Sequence, residues 1–99
     1  MKFFNKEDFQ YFFDTCNKLV VFYGSGGCGH CRNILPLYRE LSEKCPNVTF
    51  TYVESGKLKI DNLEGIPHFV LYYKQNCISD FKGANSQRLT AEVSNLAYM

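Results

Sequence analysis

Apolar residues recur along this chain with two periods, and the switches between them divide it into elements. Phe9, Phe12, Phe13 and Cys16 fall at i, i+3, i+4 and i+7, one face of a helix, with Asn5 placed to cap it and Asp8 three residues on. Such an aromatic stripe predicts core burial. Residues 19–23 form instead an unbroken β-branched and aromatic run ending at Gly24, which predicts a buried parallel strand. Beyond the glycines, Cys31, Ile34, Leu35, Tyr38 and Leu41 return to helical spacing. A second helix therefore starts at or near Cys28 and ends near Cys45, ahead of Pro46. Pro36 lies inside it, where it removes a backbone hydrogen bond and is expected to kink the axis.

Residues 48–53 predict a second buried strand, and 56–62 read as one helical turn at most. Residues 69–73 and 77–81 flank the polar Lys74-Gln75-Asn76, which predicts an antiparallel hairpin that Gly83 ends. Asn85 or Ser86 then caps a last helix whose apolar stripe is Leu89, Val93, Leu96 and Ala97. The order helix, strand, helix, strand, short helix, hairpin, helix predicts one α/β domain over residues 1–99, without repeats or linkers.

Composition narrows the functional classes. Ninety-nine residues can build one core but not two nucleotide-binding halves. A net charge of +1 with no block of like charge leaves nucleic acid and membrane surfaces outside the expected partners. Lys2, Lys6, Glu7 and Asp8 interrupt the opening dozen residues where a leader would be apolar, so an intracellular, cytoplasmic setting is expected. An oxidising compartment would require that a leader had been removed. Five cysteines are an odd number, and only Cys28 and Cys31 are closely spaced, which argues against a secreted disulfide framework.

The stretch Tyr-Gly-Ser-Gly-Gly-Cys-Gly-His-Cys, residues 23–31, carries two overlapping chemistries. Gly24, Gly26 and Gly29 satisfy G-x-G-x-x-G after a strand and before a helix, and Glu54 ends the next strand, where an acid could hold a ribose hydroxyl. Against a dinucleotide stand the single such unit, the antiparallel hairpin, and Cys28 and His30 beside the third glycine. The sulfur reading uses the geometry more fully. A helix N-terminus carries unpaired N–H groups and about half a positive charge, which stabilises an anion, and the Cys28 sulfur sits where that anion would be. Cys31 lies one turn on, on the same face but deeper, so Cys28 reads as the attacking sulfur and Cys31 as the resolving one. His30 between them further favours thiolate at Cys28 and a more oxidising disulfide, while Gly29 keeps the turn open. Cys16, Cys45 and Cys77 read as small apolar residues. A zinc site from Cys28, His30, Cys31 and Cys45 is disfavoured, because Cys45 lies roughly 20 Å down the predicted helix at 1.5 Å per residue. Neither metal nor cofactor is expected.

Cys28-Gly29-His30-Cys31 after the strand, Pro36 five residues beyond, Gly65-Ile66-Pro67-His68-Phe69, and Gly83 after the hairpin together resemble a thioredoxin-fold domain. The tetrapeptide is similar to the active site of protein disulfide isomerases, and the resemblance runs from about Phe9 to Ala97. It implies a central mixed sheet of four to five strands flanked by helices. It also implies a cis Ile66–Pro67 bond, with Pro67 facing the dithiol and the Ile66 backbone pairing with an extended peptide. Gly29, Ile66, Pro67 and His68 are then the expected substrate-binding residues, and Cys28, His30 and Cys31 the catalytic ones. The implied activity is thiol–disulfide exchange on protein substrates, by a monomer that draws electrons from a reductase or glutathione. A glutaredoxin is disfavoured, since the glycine pair expected for glutathione is not seen around Gly83.

The chain departs from that family in three places. The buried acid that usually takes the resolving cysteine's proton, and the lysine that often pairs with it, align with Val21 and Tyr52, so both charges are absent together. A redox-weak peptide-binding module is accordingly the alternative function. Gly26-Gly27 replace the aromatic residue before the first cysteine, which predicts a mobile loop, and His68 follows the proline as a second titratable group near the sulfurs.

Overall fold

The structure, a computed structural model, describes residues 2–3, 6–54 and 66–99, with side chains from Gln10 onward. The expected cap at Asn5, the Phe9 side chain and the turn at 56–62 lie outside the described residues. Eight elements follow in chain order: β1 (Lys2–Phe3), α1 (Lys6–Thr15), β2 (Lys18–Gly24), α2 (Gly29–Lys44), β3 (Thr49–Glu54), β4 (His68–Tyr73), β5 (Asn76–Lys82) and α3 (Ser86–Ala97). The strands form one mixed sheet in the order β1-β3-β2-β4-β5. β3 is parallel to both β1 and β2, whereas β4 runs antiparallel to β2 and β5. This is the thioredoxin fold.

Central β2 is buried on both faces, and its alternation divides the core. Val20 and Phe22 point toward α2 and α3, where they join Ile34, Tyr38, Phe50, Phe69, Phe81, Leu89, Val93 and Leu96. Leu19 and Val21 point the other way and pack with Val53, Tyr72 and the α1 residue Phe12. Full burial of each such side chain contributes about 1.5–3 kcal/mol, which explains why β2 reads as a continuous apolar run. The Phe22 ring is boxed by Tyr38, Tyr52 and Phe69, at centroid distances of 5.0, 5.1 and 4.6 Å.

Local chemistry sets the ends of the elements. α2 continues through Pro36, whose ring lies on the exposed face, so the Arg32 carbonyl that loses its helical donor is itself at the surface. The β4–β5 turn is tighter than expected: Lys74 and Gln75 alone form it, both with positive φ (48° and 70°), the primed two-residue geometry that matches strand twist. Gly83, at φ 100°, ends β5 and donates its N–H to the Pro67 carbonyl at 2.8 Å. The Asn85 side chain caps α3 by accepting from the Arg88 N–H at 3.0 Å.

Candidate active site

Because β2 ends in glycine and the chain turns at once into α2, the dithiol sits at the C-terminal edge of the central strand. Cys28 is the N-cap of α2, with extended backbone (φ −91°, ψ 115°). Its Sγ accepts the Cys31 N–H at 3.3 Å, so sulfur takes the place an oxygen cap would hold for the unpaired amides of the first turn. Cys28 is half-buried, Cys31 is buried, and both are free thiols. Gly29 and His30 form the exposed start of the helix between them. A Cβ added at Gly29 would meet nothing within 4 Å, so the approach to Cys28 is open on that side.

The Cys31 thiol is pushed up to about 12, chiefly by burial, then by its hydrogen bond to the Cys28 side chain; a backbone hydrogen bond from Ser25 opposes this, and the charges of Cys28 and Glu54 add to it. Cys31 is therefore a neutral thiol at neutral pH. The two sulfurs differ as attacking and resolving groups should: one half-buried on a helix cap, the other buried one turn along.

Beneath the dithiol the expected alignment is corrected by one residue. The strand register sets Phe22, not Val21, opposite Tyr52, on the face that carries Cys31. Val21 points toward α1. Gly24 closes the strand in a narrow space: a Cβ there would lie 2.6 Å from Phe22 Cε1, 3.1 Å from Tyr52 Cε2 and 3.3 Å from Cys31 Sγ. Tyr52 and Cys31 thus flank the same point.

Glu54 is the residue whose position the sequence concealed. It pairs with Gly24 in the β2–β3 register, and its carboxylate accepts the Gly26 N–H at 3.1 and 3.2 Å and the Tyr52 hydroxyl at 3.1 Å. Burial and then the hydrogen bond to Glu54 hold the Tyr52 phenol well above its ordinary range. The amide that a pyrophosphate would need is thus bound to a carboxylate, and the start of α2 is capped by sulfur; the dinucleotide reading fails on both counts. Nor is the glycine loop untethered, since Gly27 N–H donates to Ser25 Oγ at 3.3 Å and Cys28 N–H to the Ser25 carbonyl at 3.1 Å. The signal for Glu54 was its place at the end of a strand parallel to the one that carries the dithiol.

The Ile66–Pro67 peptide is cis, and Pro67 is buried at the start of β4. Ile66 and Cys28 both pack against the core cluster on the α2 and α3 side of the sheet. His68 is separated from them. Strand alternation turns it to the α1 face, where its ring lies 5.8 Å from that of Tyr23 and its Nε2 pairs with Asp80 Oδ1. It is not on the dithiol face.

Cys45 caps the far end of α2 from Cys28, so the four candidate zinc ligands do not converge. Among the described residues no group of three His, Cys, Asp or Glu side chains is arranged to hold a metal ion.

A pair of thiols, one buried and one half-buried, set where the central strand gives way to a helix, in a mixed sheet whose β4 is preceded by a cis-proline, defines a thioredoxin-fold dithiol domain. Residues 1–95 match the Thioredoxin family, and the chain belongs to it as a thioredoxin-like thiol–disulfide oxidoreductase. Thioredoxin of Oryctolagus cuniculus is 34% identical over 98 residues, 93% of each chain. Thioredoxin-3 of Dictyostelium discoideum is 30% identical over 76 residues, 73% of each. Plasmodium falciparum thioredoxin superposes with a TM-score of 0.83 at 22% identity, over 96% of this chain and 98% of that one. Mitochondrial thioredoxin 3 of Saccharomyces cerevisiae, oxidised, gives 0.81 at 24% identity, over 96% and 93%. At such identities the two structures speak for the fold alone.

Proposed function

We propose that this protein exchanges disulfides with protein clients through Cys28 and Cys31. The Cys28 thiolate attacks one sulfur of a client disulfide; that bond breaks, the other client sulfur leaves as thiolate, and a mixed disulfide forms. Cys31 then gives up its proton and attacks Cys28 Sγ. The Cys28–Cys31 bond forms, the second client sulfur departs, and two electrons have passed to the client. A reductase or a glutathione-class thiol restores the dithiol, and run backward the same steps oxidise a client. The extended segment before β4, with Ile66 and Pro67, receives the client chain, and Gly29 leaves room for it. The setting is intracellular and the working unit a monomer.

The observation that carries this reading is the Cys28 sulfur at the cap of α2 with the Cys31 thiol buried behind it. The finer reading is an isomerase-like poise, supported by His30 inside the dithiol tetrapeptide. It predicts a reduction potential nearer about −180 mV, the isomerase value, than about −270 mV, that of thioredoxin. Equilibration with glutathione measures it.

One observation favours a second reading, a peptide-binding module with weak turnover: apolar Phe22 lies on the dithiol face, where an acid would otherwise draw off the Cys31 proton. Cys31→Ser separates the two. An oxidoreductase accumulates client-linked disulfides through Cys28 that a reductant releases. If Cys31→Ser captures no such adducts, yet Cys28 still reacts with small alkylating agents, exchange with clients is refuted.

A further inference from the structure

Resolution requires that a buried, neutral thiol lose its proton at the moment it attacks. Among the described residues the groups on the dithiol face are few. β2 contributes Phe22 and Gly24 and β4 contributes Phe69, none of which titrates. Among the described residues, the titratable groups that act on Cys31 are Cys28 from the helix cap and Tyr52 and Glu54 from β3. Cys28 is already bonded to the client at this step. Tyr52 donates its hydroxyl hydrogen to Glu54 and is held protonated, so it can relay a proton but not keep one.

We propose that Glu54 is the proton acceptor for Cys31, taking over from the end of β3 a role that the apolar Phe22 leaves open on β2. The inference rests on the exchange chemistry proposed above. Three geometric facts carry it. Glu54 is the register partner of Gly24, the residue whose missing side chain leaves Cys31 Sγ and the Tyr52 ring on either side of one small space. Its carboxylate holds the Gly26 amide, which fixes the dithiol loop relative to β3. Its other contact, the Tyr52 hydroxyl, belongs to the ring that borders Cys31. The nearby Glu54 charge also helps hold Cys31 protonated until the step occurs.

In the step itself the Cys31 S–H bond breaks and its proton passes to a Glu54 oxygen. The Cys31 sulfur forms a bond to Cys28 Sγ, and the Cys28–client bond breaks with its electron pair on the client sulfur. The glutamic acid then releases its proton to solvent, which protonates the departing thiolate. No other oxidant or reductant enters.

The test uses an aromatic disulfide whose released thiol is coloured, mixed in stopped flow with a full-length chain in which Cys16, Cys45 and Cys77 are replaced by serine. Attack by Cys28 releases the first equivalent, and resolution by Cys31 releases the second. Glu54→Gln is expected to slow the second phase about 10²-fold relative to the first near neutral pH, the usual scale for a lost general base. The deficit should shrink steadily as pH rises toward about 12, where Cys31 ionises unaided. Glu54→Asp, which keeps a carboxylate, should recover part of the rate with the same pH dependence; it is also the variant to read if glutamine there does not fold. A second phase unchanged in Glu54→Gln overturns the inference and leaves the exchange chemistry standing. A uniform slowing at every pH also overturns it, because that marks a merely structural role for Glu54. If the parent itself releases only the first equivalent, the proposed function falls first.

Discussion

Adding one methyl group at Gly24 should loosen the whole domain. The new Cβ would lie 2.6 Å from Phe22 Cε1, closer than side-chain carbons approach, with Tyr52 Cε2 at 3.1 Å and Cys31 Sγ at 3.3 Å. A flexible neighbour could swing away, but Phe22 is fully buried, with Tyr38, Tyr52 and Phe69 around its ring. Retreat for one ring therefore means displacement of four. Overpacking of this kind costs about 1–3 kcal/mol. Against it, replacing glycine in a strand restricts the unfolded chain and returns about 0.4–1 kcal/mol. The middles of the two ranges leave a net loss of about 1.3 kcal/mol, which should lower the midpoint of thermal unfolding by roughly 5–10 °C, taking 4–8 °C per kcal/mol for a domain of this size. Circular dichroism melts of Gly24→Ala and the parent, both reduced, measure it. Gly29→Ala is the control, because the added methyl meets nothing within 4 Å and enters the first turn of a helix, so its midpoint should hold or rise. A Gly24→Ala midpoint within 2 °C of the parent, a margin set at roughly half the expected minimum, would refute the packing argument.

Other outcomes follow from single contacts. Tyr38→Phe removes a buried hydroxyl that donates to the Thr51 carbonyl at 2.6 Å and accepts the Thr51 N–H at 3.1 Å, and should cost about 1–3 kcal/mol in urea unfolding. Asn85→Ala leaves the Arg88 amide uncapped and should cost about 1 kcal/mol, most of it visible as faster hydrogen exchange in the first turn of α3. Gln75→Gly relieves a non-glycine residue at φ 70° and should stabilise by about 1 kcal/mol, since the side chain it removes reaches Asp14 through a long 3.4 Å contact. The rate of Cys31 alkylation in oxidant-free buffer should climb with pH without reaching a plateau below about pH 12, because burial keeps its proton on; a plateau near neutrality would contradict the burial argument.

Periodicity disclosed most of the architecture, because each long element buries one continuous face. The stripes from Cys31 to Leu41 and from Leu89 to Leu96 are the inner faces of α2 and α3, and the run at 19–23 is the fully buried β2. β1 escaped notice since two residues carry no period. The errors at the site share one cause. Side chains in a strand alternate faces, so a slip of one residue inverts what faces the dithiol. That slip put Val21 where Phe22 stands, and adjacency to Pro67 suggested for His68 a face it does not occupy. Glu54 was visible only as an acid that could hold a ribose in the disfavoured dinucleotide reading, because a glycine pattern does not say whether its amides await a ligand or already bind a side chain. The dithiol itself was legible, since its position depends only on where a strand stops and a helix starts.

The hairpin irregularity between Leu71 and Tyr72 has a bearing on how this protein behaves in concentrated solution. β5 is the outer strand of the sheet, it exposes Ile78, and its row of outward amides and carbonyls is a template on which a second molecule could extend the sheet. The bulge breaks the regular spacing of that row midway, and Asp80 and Lys82 place opposite charges along its remainder. Straightening the strand by deleting Ile78 would present a flat, pairable border, and light scattering should then report growth into multimers that the parent chain resists.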